Sequence, residues 1–187
     1  MDFFSKFQSG HTYEDFLQKF GTPDQAEGWD RYRQQIQLNE SQRELLESFT
    51  RELNVLCMAG VWCGDCVQQC PIFDVFEKTS STINIRYVDR DEDDELKQEL
   101  TICGGARVPQ VVFLAEDGAV VGRNGDRTLS RYRDLAAKNF GASCPTGIVG
   151  EGGDSVLEGV VQDWLNEFER IHWILRLSPR LRSLHND

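Results

Sequence analysis

The sequence has no long apolar run, and it holds fewer basic than acidic residues. A membrane-spanning helix needs about 20 apolar residues in succession, so we expect no membrane span. The opening residues 1–6 lack the basic start and the apolar stretch of a signal peptide, which predicts a cytoplasmic protein. With 20 Lys and Arg against 31 Asp and Glu, the net charge is −11, which argues against nucleic acids and anionic membranes as partners.

Histidine and cysteine are also scarce. The three histidines, His11, His172 and His185, lie outside the central cysteine motif, so a Cys–His hydrolase or a Cys–His zinc site is poorly supported. Six cysteines in 187 residues are too few for a disulfide scaffold. In a cytoplasmic protein, two closely spaced cysteines indicate catalysis more than a structural bridge.

One such pair, Cys63 and Cys66, occupies a strand-to-helix junction. The apolar run Val55–Ala59 predicts a strand buried on both faces, and Val67–Lys78 predicts a helix. At the start of a helix, free backbone N–H groups and the helix dipole stabilise a thiolate on the first cysteine. The second cysteine follows one turn later, within reach of a small disulfide ring. The pair therefore suits thiol–disulfide exchange.

The segment Trp62-Cys63-Gly64-Asp65-Cys66, followed by Pro71, resembles the active-site helix of thioredoxins. A lone C-x-x-C is weak, since metal sites use the same spacing. A metal site built from Cys63, Cys66 and Cys70 therefore stays an alternative.

A second match lies downstream of the first. Val108-Pro109 precedes the apolar run Val111–Leu114, as the cis-proline of thioredoxins precedes their next strand. Asp117-Gly118 resembles the turn of the final hairpin. The resemblance covers roughly residues 50 to 140. It implies an α/β, thioredoxin-like fold, with a central mixed sheet flanked by helices.

The resemblance also implies a role for each matching residue. Cys63 would be the attacking thiol and Cys66 the resolving thiol, while Trp62, Val108 and Pro109 would contact the substrate. No cofactor is expected beyond the Cys63–Cys66 disulfide itself. The implied partners are disulfide-containing substrate proteins and an upstream dithiol reductase. The alternative from another class is a thioredoxin-fold interaction module with little turnover.

Two positions depart from the thioredoxin pattern. In the middle pair Gly64-Asp65, Asp65 replaces the usual proline and adds a negative charge close to Cys63, which alters thiol acidity and redox poise. Cys57 stands where thioredoxins place a buried aspartate that assists Cys66. A thiol is a weaker base at neutral pH, so we expect slower resolution by Cys66, although Cys57 as a small buried hydrophobe is the simpler interpretation.

The other cysteines have no role that the sequence establishes. Cys70 follows Cys66 by one helical turn, and buried packing is expected there. Pairing with Cys57, or service as a second resolving thiol, are the alternatives. Cys103 and Cys144 could cap or regulate the site if their loops fold over it.

The chain order predicts helical additions at both ends of the thioredoxin-like part. We expect residues 1–38 to form an N-terminal helical extension, 39–140 the thioredoxin-like domain, 141–153 a Gly-rich loop, and 154–187 an amphipathic helix with a tail. Helix starts are predicted at Thr12, at Thr22-Pro23 and at Asn39 to Ser41, with the third helix presenting Leu53 inward.

The predicted C-terminal helix carries an apolar stripe that must be buried. Either it packs back on the core, or it forms a dimer seam. Its members recur at spacings of four and three: Leu157, Val161, Trp164, Phe168, Ile171 and Leu175. Ser178-Pro179 is predicted to end that helix.

Overall fold

The computed structural model describes residues 1–141 and 154–187. The Gly-rich loop predicted at 141–153, with Cys144, lies outside the described residues apart from its first position. Within the described ranges, none of the helices combines the length and apolar character needed to cross a bilayer.

A mixed sheet of four strands forms the centre of the part of the chain that the structure describes. The strand order is β2-β1-β3-β4, with β2 parallel to β1 and the other two neighbouring pairs antiparallel. Because β1 is apolar on both faces and buried throughout, it takes a central position. The strands are β1 (Leu53–Ala59), β2 (Ile83–Asp89), β3 (Gln110–Ala115) and β4 (Val120–Gly125).

Helices surround this sheet, which confirms the predicted α/β, thioredoxin-like fold. In the described ranges they are α1 (Phe3–Ser9), α2 (Tyr13–Phe20), α3 (Pro23–Arg33), α4 (Glu40–Glu47), α5 (Gly64–Thr79), α6 (Asp94–Glu99), α7 (Leu129–Phe140), α8 (Asp154–Leu177) and α9 (Pro179–His185).

The N-terminal helices differ from the prediction in two places. Helix α1 was not predicted, although Asp2 caps it by accepting the backbone N–H groups of Phe4 and Ser5. The predicted continuation of the third helix to Leu53 is wrong. The helix ends at Glu47, because the chain leaves the helical conformation after its cap Ser48, and Leu53 begins β1 instead.

The C-terminal stripe packs on the core, as the first of the two expectations had it. Trp164 and Phe168 on α8 are buried, and their rings contact Phe73, Phe76 and Phe113 edge-on with centroids 4.7 to 5.3 Å apart. Most of the stripe that could have formed a dimer seam is therefore covered within the chain.

The end of the chain corrects the predicted tail. Helix α8 stops at Leu177, as Pro179 requires, but the same proline is the first residue of α9. The Ser178 side chain caps α9 by accepting the N–H of Leu181. A proline that ends one helix thus starts the next.

Candidate active site

The cysteine pair lies where β1 delivers the chain into α5. Cys63 is the N-cap residue of α5 and has an extended backbone, so its sulfur faces the free N–H groups of Asp65 and Cys66. Cys63 is partly exposed, whereas Cys66 is fully buried one turn further along the helix. An incoming reactant can therefore reach only the first sulfur.

The loop before β3 faces this pair. The peptide bond between Val108 and Pro109 is cis, and Cys63 Sγ lies 3.6 Å from the Val108 carbonyl oxygen. Gly125 packs against this loop: a Cβ atom added at Gly125 would lie 2.6 Å from the carbonyl oxygen of Pro109. The φ angle of Gly125 is 154°, which also favours glycine. Cys63, Val108 and Pro109 are thus brought together as the resemblance implied.

The two thiols share a hydrogen bond and titrate as a unit. The hydrogen bond with Cys66, together with burial, raises the pKa of Cys63. Burial opposes a charge on Cys66, yet hydrogen bonds from Cys63, from Cys70 and from the Gly60 N–H at 3.5 Å lower the pKa of Cys66 to about 5. One proton therefore leaves the pair easily and the second with difficulty. Accessibility assigns the attack to Cys63.

Two arginines compensate the charge of Asp65. Arg127 contacts the Asp65 carboxylate at 2.6 Å and Arg131 contacts it at 3.4 Å. Neither arginine was predicted from the sequence, because both lie more than 60 residues from Asp65 along the chain. Only their own spacing of four, at the start of α7, marks them as a pair.

A buried carboxylate, Asp126, holds the loop between β4 and α7. It accepts hydrogen bonds from the hydroxyl of Tyr132 and, at 3.3 Å, from Arg107. Burial opposes its charge, but these hydrogen bonds and the nearby Arg127 lower the pKa of Asp126. Because Arg107 directly precedes Val108, this network fixes the loop that faces Cys63. The Tyr132 side chain is itself partly exposed.

Trp62 presents a flat apolar surface beside Cys63. Its side chain is 49 % exposed, and the guanidinium carbon of Arg90 lies 4.3 Å from the ring centroid. A Cβ atom at Gly60 would stand 2.7 Å from the indole, so glycine is required there. The Arg90 guanidinium and the Gly60 backbone thus both lie against the Trp62 side chain.

Cys57 and Cys70 lie behind the pair. Both are fully buried, and their sulfurs are 3.9 Å apart. Cys70 and Cys66 also shift each other's pKa, so the buried thiols adjoin the Cys63/Cys66 pair. Cys103 is exposed on the turn that precedes the cis-proline loop.

The predicted metal alternative gains no support. Among the residues that the structure describes, no group of three or more Cys, His, Asp and Glu side chains has the arrangement to hold a metal ion.

Comparison with known families now places the chain. A family model described as thioredoxin matches residues 10–135, which is more than half of the sequence. The chain belongs to the thioredoxin family. This match takes in the cysteine pair, the cis-proline loop and most of the helices before them.

Solved structures share the fold at low sequence identity. A protein of unknown function from Pseudomonas aeruginosa is 20% identical, with a TM-score of 0.67 over 90% of this chain and 98% of its own. An HIV epitope scaffold is also 20% identical, with a TM-score of 0.66 over 90% of this chain and 99% of its own. No curated protein matches. At 90% coverage, the shared fold includes parts of both the N-terminal and the C-terminal helices. The descriptions of these two structures name no activity.

Proposed function

We propose that the protein reduces disulfides of other proteins through the Cys63/Cys66 dithiol. The observation that carries this proposal is the accessible Cys63 sulfur, 3.6 Å from the carbonyl of a cis-proline loop, with a second thiol buried behind it. Thiol–disulfide chemistry in general is what the thioredoxin family supports. Reduction, rather than oxidation, is the part proposed for this chain.

The reaction proceeds in two exchanges. The Cys63 thiolate attacks one sulfur of the substrate disulfide, forms a mixed disulfide and expels the other sulfur as a thiolate. Cys66 then attacks the Cys63 sulfur, closes the Cys63–Cys66 disulfide and releases the second substrate thiol. Two electrons pass from the pair to the substrate, and the two protons of the pair pass to the released thiols. An upstream dithiol protein would reduce the pair again.

The surface around Cys63 would hold an extended segment of the substrate. The Val108 peptide offers backbone hydrogen-bonding groups next to the sulfur, as a strand edge does. The half-exposed side chain of Trp62, the residue before Cys63, offers apolar contact. We place the protein in the cytoplasm, where an upstream reductase keeps dithiols reduced.

Insulin reduction driven by dithiothreitol tests the proposal. The wild-type protein should accelerate precipitation of the insulin B chain, and Cys63→Ser should reduce the rate to that of dithiothreitol alone. Cys103→Ser removes an exposed thiol outside the site and should retain the wild-type rate. Equal rates with and without wild-type protein would instead favour an interaction module.

A trapping experiment tests the order of the two cysteines. With Cys66→Ala, the mixed disulfide on Cys63 cannot be resolved, so covalent complexes with substrate proteins should accumulate and disappear on reduction. Trapping through Cys66 in a Cys63→Ala protein would contradict the assignment. Equilibration of the pair with glutathione buffers then gives the reduction potential. A value above that of the glutathione couple would contradict the reducing direction.

A further inference from the structure

Four sulfurs form a continuous row from the surface into the core. Cys63 lies at the mouth of the site, and Cys66 contacts it from below. The Cys66 and Cys70 thiols are close enough to shift each other's pKa, and Cys70 Sγ lies 3.9 Å from Cys57 Sγ. The reaction proposed above uses only the first two of these thiols.

Cys70 and Cys57 come from a helix and a strand that meet in the core, and their sulfurs lie within hydrogen-bond distance of each other. Cys66 and Cys70 are four residues apart on α5, so their Cα atoms are about 6 Å apart, which is within the span of a disulfide. Each neighbouring pair in the row is therefore placed for exchange.

We propose that Cys57 and Cys70 form a second redox pair, which re-reduces the Cys63–Cys66 disulfide from inside the protein. This proposal rests on the proposed function and extends it. A fully reduced chain would then reduce two substrate disulfides before it needs the upstream reductase.

Two internal exchanges transfer the electrons. Cys70 attacks the Cys66 sulfur of the Cys63–Cys66 disulfide, forms a Cys66–Cys70 disulfide and releases Cys63. Cys57 then attacks the Cys70 sulfur, forms a Cys57–Cys70 disulfide and releases Cys66. The protons of Cys70 and Cys57 pass to Cys63 and Cys66. The inner pair is oxidised by two electrons, the outer pair is reduced by two, and no other reactant is required.

Burial sets the pace and the selectivity of this step. Burial and its contacts with the Cys57 and Cys66 thiols raise the pKa of Cys70, so little Cys70 thiolate is present and we expect the internal exchange to be slow. Since Cys57 and Cys70 are 0 % exposed, an external disulfide reaches them only through Cys66.

Disulfide mapping of the full chain tests this proposal. The parent protein carries Cys103→Ser and Cys144→Ser, which leaves only the four cysteines of the row. It is fully reduced, freed of reductant and mixed with excess oxidised glutathione without oxygen. Samples are quenched with acid, unfolded, alkylated and mapped by mass spectrometry. We expect a Cys63–Cys66 disulfide first and a Cys57–Cys70 disulfide later, with the remaining thiols falling from four to none.

A Cys66→Ala variant of the parent separates a relay from independent oxidation. Without Cys66, formation of the Cys57–Cys70 disulfide should slow by at least about tenfold, since the path from the surface is broken. Circular dichroism and the unfolding midpoint confirm that this variant folds. An unchanged rate of Cys57–Cys70 oxidation would overturn the relay.

The two proposals fail in different ways. If the parent forms Cys63–Cys66 while Cys57 and Cys70 stay alkylatable after unfolding, the relay is wrong and the proposed function stands. If no Cys63–Cys66 disulfide forms, the proposed function fails as well. As a second readout, the oxidised parent should consume two equivalents of dithiothreitol, and its Cys57→Ala variant one, because each disulfide is a two-electron couple.

Discussion

The N-terminal and C-terminal helices hold the active-site segment from opposite ends, each through a buried tryptophan. Trp29 on α3 donates its indole N–H to the carbonyl of Val61 at 3.1 Å, just before the cysteine motif. Trp164 on α8 donates to the side-chain oxygen of Gln69 at 2.9 Å, one turn after it.

The two contacts differ in what they connect. Trp29 holds one backbone carbonyl and so fixes one segment. Gln69, held by Trp164, also donates to the carbonyl oxygens of Asp65 at 3.2 Å and Asp126 at 2.8 Å. The C-terminal helix therefore couples the cysteine helix to the loop behind the cis-proline, whereas the Trp29 hydrogen bond reaches only the segment before the cysteine motif. Both sets of helices support the site, and the C-terminal one joins two of its walls.

Replacing each tryptophan by alanine should have the largest effect. Both side chains are fully buried, so Trp29→Ala and Trp164→Ala should each lower the free energy of unfolding by about 3–5 kcal/mol. Urea unfolding followed by circular dichroism measures the loss. Trp173→Ala is the control on α8, because that side chain is half exposed and should cost far less. A small loss at either buried position would mean that its helix packs loosely.

Replacement by phenylalanine removes the hydrogen bonds and sharpens the difference. Trp164→Phe leaves the buried Gln69 oxygen without its donor, which should cost about 1–3 kcal/mol. In a Gln69→Leu background the same change should cost less, since no acceptor is left unpaired.

The matched control pairs Trp29→Phe with Gln69→Leu. These residues share no hydrogen-bond partner, so their effects on unfolding should add. Additive effects for Trp164 and Gln69 as well would remove the distinction between the two sets of helices.

Acid should produce the smallest effect, and on the C-terminal side. His172 on α8 stacks on Phe49 at 4.3 Å, and its buried Nδ1 has no hydrogen-bond partner in the described part of the chain. Burial, with Arg176 and Arg51 nearby, lowers the pKa of His172. Because the unfolded chain then binds the proton more readily, stability present above about pH 6.5 is lost as the pH falls below it.

The variant His172→Phe should make that acid loss shallower. Unfolding midpoints measured from pH 8 to pH 5 compare the two proteins, with pH 8 as the reference where the wild-type histidine is neutral. Parallel curves would show that His172 does not contribute to the acid sensitivity.

Much of the fold was predictable because its signals are local. The apolar run of β1, the capping residues Thr12 and Thr22, and the two cysteine and proline motifs all act within a few residues. Errors arose where neighbouring signals compete. Pro179 both ends and begins a helix, and Leu53 suits a helix face as well as a strand.

For the candidate site, the sequence predicted the residues that belong to local motifs but not the contacts between residues far apart in the chain. Cys63, Cys66 and Pro109 were placed by motif, but Arg127 pairs with Asp65 across 62 residues. Likewise, the close approach of the Cys57 and Cys70 sulfurs depends on how α5 packs on β1. Such pairings are set by tertiary packing, and the spacing of residues in one sequence does not encode them.

The arginines around the site have a consequence for how partners approach. Each has a carboxylate beside it, so the mouth is close to neutral on a chain whose net charge is −11: Arg90 with Asp91, Arg107 with Asp126, Arg127 with Asp65, and Arg131 with Asp134. The net charge of the chain should therefore affect how fast partner proteins associate, and not how tightly they are held at the site. Cationic proteins should associate faster than anionic ones. Added electrolyte, which shortens the reach of the field to a few ångströms, would erase that preference while leaving the chemistry at the sulfur unchanged.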